Sequence, residues 1–440
     1  MTTNTTRTLG INGLGRIGKL TVWYHLAHEE FDRIVVNTGR PVGRSLDDLI
    51  HLITHDSTYG RMEQFLFGQS RRVEARILDE GECSLKILDK EVVFLTRSRN
   101  PREIAWREQG VDLVVDATGV FMDPAAPEDS PRGALRGHLE AGAARVIVSG
   151  PFKSSAKMWP EDAVMLIQGI NHTSFDPGRH RLISAASCTT TALSHMMKPL
   201  LEQAETSHIL TASMSTLHAA TNNQSALDRC PAAESKDLRR NRSIFNNMII
   251  TSTGSARALE YVLPEIRSVG FMADAVRIPT NTASLVNLNL TFAHRARSAA
   301  GASGAASIPG AVSAHSTPGA AQESTGITRD SLNGIYRVAA AGAQAGLLSY
   351  SDNQNVSADI IGKPAAVTIE GCETHTRTGF IELPREILAA AGVPAEGLPA
   401  AQHLRVPVTH AKIFGWYDNE YGSFVRCLGQ LTEHINRSRA

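Results

Sequence analysis

The sequence predicts an α/β chain in two parts: a doubly wound parallel sheet, then an α+β domain with a mixed, partly antiparallel sheet. Three observations predict it. Near-continuous apolar strands alternate with helical patterns through the first third of the 440 residues. A glycine-rich turn joins the first strand to the first helix. From about Ile209 the pattern changes to alternation of apolar and polar residues.

Leu9-Gly10-Ile11-Asn12 reads as a short strand, and residues 19–28 read as an amphipathic helix. Between them stands Gly13-Leu14-Gly15-Arg16-Ile17-Gly18, a G-x-G-x-x-G turn in the strand-to-helix context of a dinucleotide-binding (Rossmann) site. Gly13 permits the tight turn, Gly15 lets backbone approach a pyrophosphate, and Gly18 lets helix and strand pack closely. The helix N-terminus turns its positive dipole end to the phosphates. Further strands follow at 33–36, at 111–116 before Ala117-Thr118-Gly119, and at 145–149 after the stretch 133–141. Such apolar strands require helices on both faces of a parallel sheet. Residues 285–292 alternate apolar and polar, as a half-buried antiparallel strand does.

Cys188 follows the extended stretch Arg181-Leu182-Ile183 and is bracketed by hydroxyls in Ser184-Ala185-Ala186-Ser187-Cys188-Thr189-Thr190-Thr191. A cysteine beside Ser and Thr is most often a small buried residue. The same run also suits a thiol nucleophile acting on a phosphorylated substrate. Hydroxyls and the N–H groups of a following helix hold anionic oxygens.

Composition narrows the classes. Lysine plus arginine equal aspartate plus glutamate, 44 each, so no bulk attraction to nucleic acid or to a membrane is implied. Five cysteines, an odd count without paired spacing, argue for a reducing compartment and against a disulfide framework or zinc site. The polar N-terminus lacks an apolar signal core, and no apolar run approaches about 20 residues. The expectation is a soluble, cytoplasmic protein without a metal.

Near the C-terminus stands Phe414-Gly415-Trp416-Tyr417-Asp418-Asn419-Glu420-Tyr421-Gly422. Taken alone, it reads as a strand end and turn with buried aromatics. Residues 11–18, 186–190 and 416–420, in this order and at these separations, resemble the phosphorylating glyceraldehyde-3-phosphate dehydrogenases. Asp56-Ser57-Thr58-Tyr59-Gly60, Lys236-Asp237-Leu238-Arg239-Arg240, Thr253-Gly254 and Arg277-Ile278-Pro279-Thr280 match as well. The resemblance covers nearly the whole chain.

It implies an NAD(P)-binding Rossmann domain over 1–187, a catalytic domain over 188–418 and a C-terminal helix over 419–440 that returns to the first domain. It implies oxidation of glyceraldehyde 3-phosphate to 1,3-bisphosphoglycerate, a glycolytic reaction, with inorganic phosphate as second substrate. Cys188 becomes the nucleophile and His218, before Thr221-Asn222-Asn223-Gln224, the base. The attacking phosphate is assigned to Ser187, Thr189, Thr253 and Gly254, and the substrate's own phosphate to Thr221 and Arg277, where an arginine supplies a charge-assisted contact. Gly13, Gly15, Arg16, Ile17, Gly18, Arg99, Ser149 and Asn419 take cofactor positions. The family is tetrameric, which implies a homotetramer.

Three departures matter. The acidic residue expected about 20 positions past the glycine turn is absent, and Asn37-Thr38 stands where the family has Asn-Asp. A carboxylate there binds the ribose of NAD and repels the extra phosphate of NADP. Thr38 removes the repulsion, and Arg40 or Arg44 is placed to attract that phosphate; NAD is expected with NADP accepted. Thr191-Ala192 replaces the family's Asn-Cys. Residues 227–235 form a longer version of the loop that reaches a neighbouring subunit. Two stretches also exceed the family's ordinary length, 299–322, rich in Ala, Gly, Ser and Pro, and 380–404, with Pro384, Pro394 and Pro399; both read as tolerated loop growth. Two other readings stand beside the main one: a dehydrogenase of another phosphorylated aldehyde such as erythrose 4-phosphate, and a catalytically silent NAD-binding regulatory protein.

Overall fold

The computed structural model describes residues 6–154, 159–235, 237–293, 327–394 and 402–438. Lys236 and the stretch 299–322 therefore lie outside the described residues. In chain order, the first part contains β1 (Thr8–Asn12), α1 (Arg16–Ala27), β2 (Arg33–Asn37), α2 (Leu46–Thr54), β3 (His55–Asp56), β4 (Gly60–Arg61), α3 (Met62–Phe67), β5 (Ala75–Asp79), β6 (Ser84–Ile87) and β7 (Lys90–Leu95). It continues with β8 (Leu113–Asp116), α4 (Gly137–Glu140), β9 (Arg145–Val148), β10 (Ala163–Met165) and β11 (Leu182–Ser184).

Nine of these strands form one sheet in the order β10-β11-β9-β8-β1-β2-β7-β6-β5. It is parallel from β10 to β7, and β5, β6 and β7 close one edge as an antiparallel meander. The order reverses beside β1, where doubly wound sheets bind ligands at their carboxyl ends. Within β2, Ile34 and Val36 enter one apolar cluster and Val35 the other, as a pleated strand buried on both faces must.

The second part holds α5 (Cys188–Leu201), β12 (Ile209–Ala219), β13 (Ile249–Ser252), α6 (Ser255–Val262), β14 (Gly270–Ile278), β15 (Ser284–Ala293), α7 (Arg329–Ala341), β16 (Leu348–Ser351), β17 (Val367–Glu370), β18 (His375–Pro384), α8 (Arg385–Ala390) and β19 (His403–Tyr417). Its eight-stranded sheet runs β13-β14-β12-β15-β19-β17-β16, with β18 also paired to β19. The sheet is mixed: β12 pairs parallel with β14 and antiparallel with β15. The predicted alternation is present in β15, where Val286, Leu288 and Leu290 are buried against the cluster around α5.

Two expectations change. The first helix was predicted amphipathic, yet residues 18–26 are all buried. Its outer face is covered by the π-helical turn Tyr421–Arg426 and by α9 (Cys427–Arg437), so no face remains for water. The described residues of the stretch 380–404 are not plain loop growth. Phe380 to Pro384 pair with His403 to Pro407 and lengthen β18 and β19 into a two-stranded arm tipped by α8. Pro384 ends its strand and Pro407 lies in an edge pairing, where a missing N–H is tolerated.

Candidate active site

β11 ends at Ser184, and α5 begins at Cys188. The chain turns sharply between them, with Ala186 held at a positive φ of 58°. That conformation disfavours an L side chain, and such strain gathers at functional sites. Ser187 caps α5: its hydroxyl accepts from the N–H of Thr190 at 3.1 Å. Cys188 is thus the first residue of a 14-residue helix, where partial positive charge favours an anion.

His218 lies near the end of β12, directly beside Arg277 of β14. The Cys188 Sγ and His218 Nε2 are 3.3 Å apart. His218 Nδ1 lies 2.8 Å from the carbonyl of Ala219. A hydrogen on Nδ1 donated to that carbonyl leaves the Nε2 lone pair facing the thiol, the tautomer a base needs. Arg277 Nη1, which can only donate, lies beside Nδ1 and donates to the same carbonyl at 3.2 Å; the base tautomer is the one in which that carbonyl, and not Nδ1, accepts from it. The Nε of Arg277 is buried and unpaired. Burial lowers the pKa of His218 to about 3, with Arg277 adding to the shift. Burial also pushes the Cys188 thiol up, against Arg277 and hydrogen bonds at Thr189. Burial thus disfavours charge on both members of the pair.

The hydroxyls flanking the thiol are partly engaged. Ser187 is occupied by its cap and Thr190, and Thr189 Oγ1 lies 3.0 Å from the Tyr417 hydroxyl. Tyr417 also meets Thr216 at 2.7 Å and stands edge-on to the His218 ring. Thr221 donates its N–H and hydroxyl to Gln224 just past β12. Thr253 and Gly254 sit at the start of α6, which packs on α5. The Ser423 hydroxyl donates to the Cys188 carbonyl at 2.7 Å and ties the helix start to the π-helical turn.

The glycine turn fits a dinucleotide. Gly13 has a φ of +99°, and a Cβ on Gly18 would lie 1.9 Å from the Gly13 carbonyl. In front of Gly15 there is open space. Beneath the turn, Trp106 donates to His138 Nδ1 at 2.9 Å, so Nε2 carries the hydrogen and donates to Asp116 at 3.0 Å. Asn12 donates to the same carboxylate at 2.7 Å. Ser149 follows β9 and bonds back to the Asp116 carbonyl. At the end of β2, Thr38 donates to the Arg40 carbonyl at 2.6 Å, and the Arg99 side chain packs against Gly39. Arg40, Arg44 and Arg99 are exposed there.

Asn419 is buried, and its Oδ1 accepts from Ser284 at 2.9 Å. Ser284 in turn accepts the N–H of Ala219 at 3.0 Å. The amide oxygen is thereby pinned. Asp418 holds the turn by accepting from Tyr59, Thr282 and the N–H groups of Gly362, Glu420 and Tyr421. Ser284 and Ser423 were not singled out from sequence, and Tyr417 and Asp418 were quoted only within the run around Trp416, without a role.

Ile17 packs against the apolar cluster under the first sheet, one residue past Arg16. The Arg16 guanidinium is taken up by Glu420 and Asp56. Among the described residues, no group of His, Cys, Asp and Glu could hold a metal, and no helix is long and apolar enough to cross a membrane.

Residues 7–124 match the family model of the glyceraldehyde 3-phosphate dehydrogenase NAD-binding domain, and 187–300 match that of its C-terminal domain. The chain is 30% identical over 427 residues to glyceraldehyde-3-phosphate dehydrogenase 2 of Bacillus subtilis, covering 97% of this chain and 96% of that protein. It is 31% identical over 414 residues to dehydrogenase 1 of Streptomyces avermitilis, and 30% identical over 414 to the Geobacillus stearothermophilus enzyme, covering 94% of each chain in both cases. With a nucleotide turn, a helix-capped cysteine and a histidine facing it in matching segments, this chain belongs to the glyceraldehyde-3-phosphate dehydrogenase family.

Proposed function

We propose that this protein oxidises glyceraldehyde 3-phosphate to 1,3-bisphosphoglycerate with NAD(P) and inorganic phosphate. The observation that carries the reading is the 3.3 Å approach of the Cys188 thiol to His218 at a helix N-terminus. His218 Nε2 takes the thiol proton, Cys188 sulfur adds to the aldehyde carbon, and the imidazolium returns that proton to the former carbonyl oxygen to give a neutral hemithioacetal. His218 next takes the hydroxyl proton of the hemithioacetal as its carbon is oxidised to a thioester. The nicotinamide, when bound, supplies the hydride acceptor. Phosphate oxygen then attacks the thioester carbonyl, the carbon–sulfur bond breaks, and Cys188 leaves as thiolate.

Arg277, with a buried N–H free and Thr221 nearby in sequence to His218, serves the substrate's phosphate. The N–H groups that open α5 and α6, with Ser187, Thr189, Thr253 and Gly254, serve the attacking phosphate. Gly13, Gly15, Ile17 and Gly18, with the backbone of Arg16, hold the pyrophosphate, Ser149 borders it, and Asn419 orients the nicotinamide. Thr38, without a carboxylate and beside Arg40, Arg44 and Arg99, admits NADP as well as NAD. The domain division at 187 and 418, a cytoplasmic setting and a homotetramer belong to the same reading. The exposed apolar residues Leu227, Leu238, Phe245 and Met248 support subunit contact there.

The test is nucleotide reduction by purified protein with glyceraldehyde 3-phosphate or erythrose 4-phosphate, with and without inorganic phosphate. Phosphate-dependent turnover with the three-carbon aldehyde is expected. A higher kcat/KM for the four-carbon aldehyde would reassign the substrate.

A further inference from the structure

We infer that Glu420 and Asp56 are positioning residues that clasp the phosphate turn to the nicotinamide end of the nucleotide site through Arg16. The inference rests on the cofactor reading given above. Arg16 is the first residue of α1, and Glu420 follows Asn419 in the turn after β19. The Arg16 Nε donates to one Glu420 oxygen at 3.0 Å and Nη2 to the other at 2.6 Å, a two-pronged pair across 404 residues of chain. The remaining Nη1 donates to Asp56, which also pairs with Lys19 at 2.7 Å.

The clasp is sheltered. The Asp56 side chain is 1% exposed and that of Glu420 13%. Burial works against the Arg16 charge, but hydrogen bonds to Glu420 and Asp56 outweigh it and hold its pKa above the usual value. Asp56 also braces the local chain by accepting the N–H groups of Thr58 and Tyr59. Tyr59 completes a second link, its hydroxyl donating to Asp418 at 2.8 Å. Segment 56–59 thus joins both sides of the site, and each side bears one end of the cofactor.

An arginine with every prong on a carboxylate contributes no free charge to a pyrophosphate. Its work is geometric. Without the clasp, the glycine turn still binds a nucleotide diphosphate, but Asn419 is held relative to it only through the weaker Tyr59–Asp418 link. The loss therefore falls on ligands that span both ends and on the step that needs the nicotinamide aligned.

The test compares NAD with ADP-ribose, which lacks the nicotinamide. Both are titrated into wild-type, Glu420→Gln and Glu420→Asp protein, and kcat and KM are measured for each. For Glu420→Gln, NAD is expected to weaken about tenfold, as for loss of one charge-assisted bond, with ADP-ribose within about twofold. The kcat falls with it, and Glu420→Asp recovers part of both. Equal weakening of NAD and ADP-ribose in both variants would make Glu420 a merely structural residue, and no change in either would make the clasp idle; each overturns the inference. Should the Gln variant not fold, the Asp variant carries the same comparison. Wild-type protein that binds neither ligand would instead overturn the cofactor reading.

Discussion

The Cys188 sulfur faces His218 Nε2 at 3.3 Å, while the far nitrogen of the same ring is held at the Ala219 carbonyl. The ring is thereby oriented to take a proton from the thiol and not from solvent. His218→Asn removes the base but retains a polar side chain of similar reach. It is expected to lower kcat/KM by about 10²–10⁴-fold, in the range of a lost general base. Rapid-mixing kinetics of nucleotide reduction measure it, and a loss below about tenfold would exclude the role.

In the proposed reading, Thr38 admits NADP beside NAD. Its hydroxyl is spent on the Arg40 carbonyl, and no carboxylate stands at the end of β2 to repel a 2′-phosphate. Wild-type protein is expected to use NADP within about a hundredfold of NAD, or about 2.7 kcal/mol. Thr38→Asp is expected to cut kcat/KM for NADP by at least about tenfold and to spare NAD, since like charges oppose each other there. An unchanged NADP value would place the discrimination elsewhere.

Acid is expected to destabilise the fold through buried imidazoles. Burial lowers the pKa of His25, of His195 to about 4 and of His218 to about 3. Their folded values lie below the unfolded value of 6.5. The unfolded chain thus binds protons that the folded chain refuses, and stability falls as pH drops through 6.5. Each site contributes a slope of about 1.4 kcal/mol per pH unit once the unfolded imidazole is charged, and the three together about 4. Urea denaturation at pH 7 and pH 5 reads this directly. A flat profile would mean that these rings are already charged in the folded protein.

The network under the glycine turn is a stability element. Asp116 is fully buried and accepts from His138, Asn12 and Thr118. His138→Phe removes one donor and also strands the Trp106 N–H. The expected cost is about 1–3 kcal/mol of unfolding free energy, that of unsatisfied buried polar groups. An unchanged urea midpoint would show that the pocket repacks around the ring.

The local parts of this architecture were legible in the sequence. Strand periodicity placed β1, β2, β8, β9 and β15, because alternation and apolar runs follow from the pleat itself. The glycine spacing placed the nucleotide turn for the same local reason: Gly18 cannot carry a Cβ beside the Gly13 carbonyl. Long-range partners were not legible. Nothing near Arg16 in sequence points to Glu420, and nothing near Thr189 points to Tyr417, 228 residues away. The described part of the arm was hidden by its prolines, of which Pro384 reads as loop yet closes an edge strand. The burial of α1 follows from the C-terminal helix, whose return the resemblance implied but no local pattern around α1 encodes.

A single-turnover experiment tests the covalent chemistry most directly. Protein is mixed with glyceraldehyde 3-phosphate and NAD in phosphate-free buffer, quenched in acid and examined by peptide mass spectrometry, beside a Cys188→Ala control. The expected result is a burst of reduced nucleotide that approaches one per site, an acyl group on the peptide bearing Cys188, and its release on adding phosphate. Nucleotide reduction that persists in Cys188→Ala, or an acyl group carried by another residue, would contradict a thioester at Cys188.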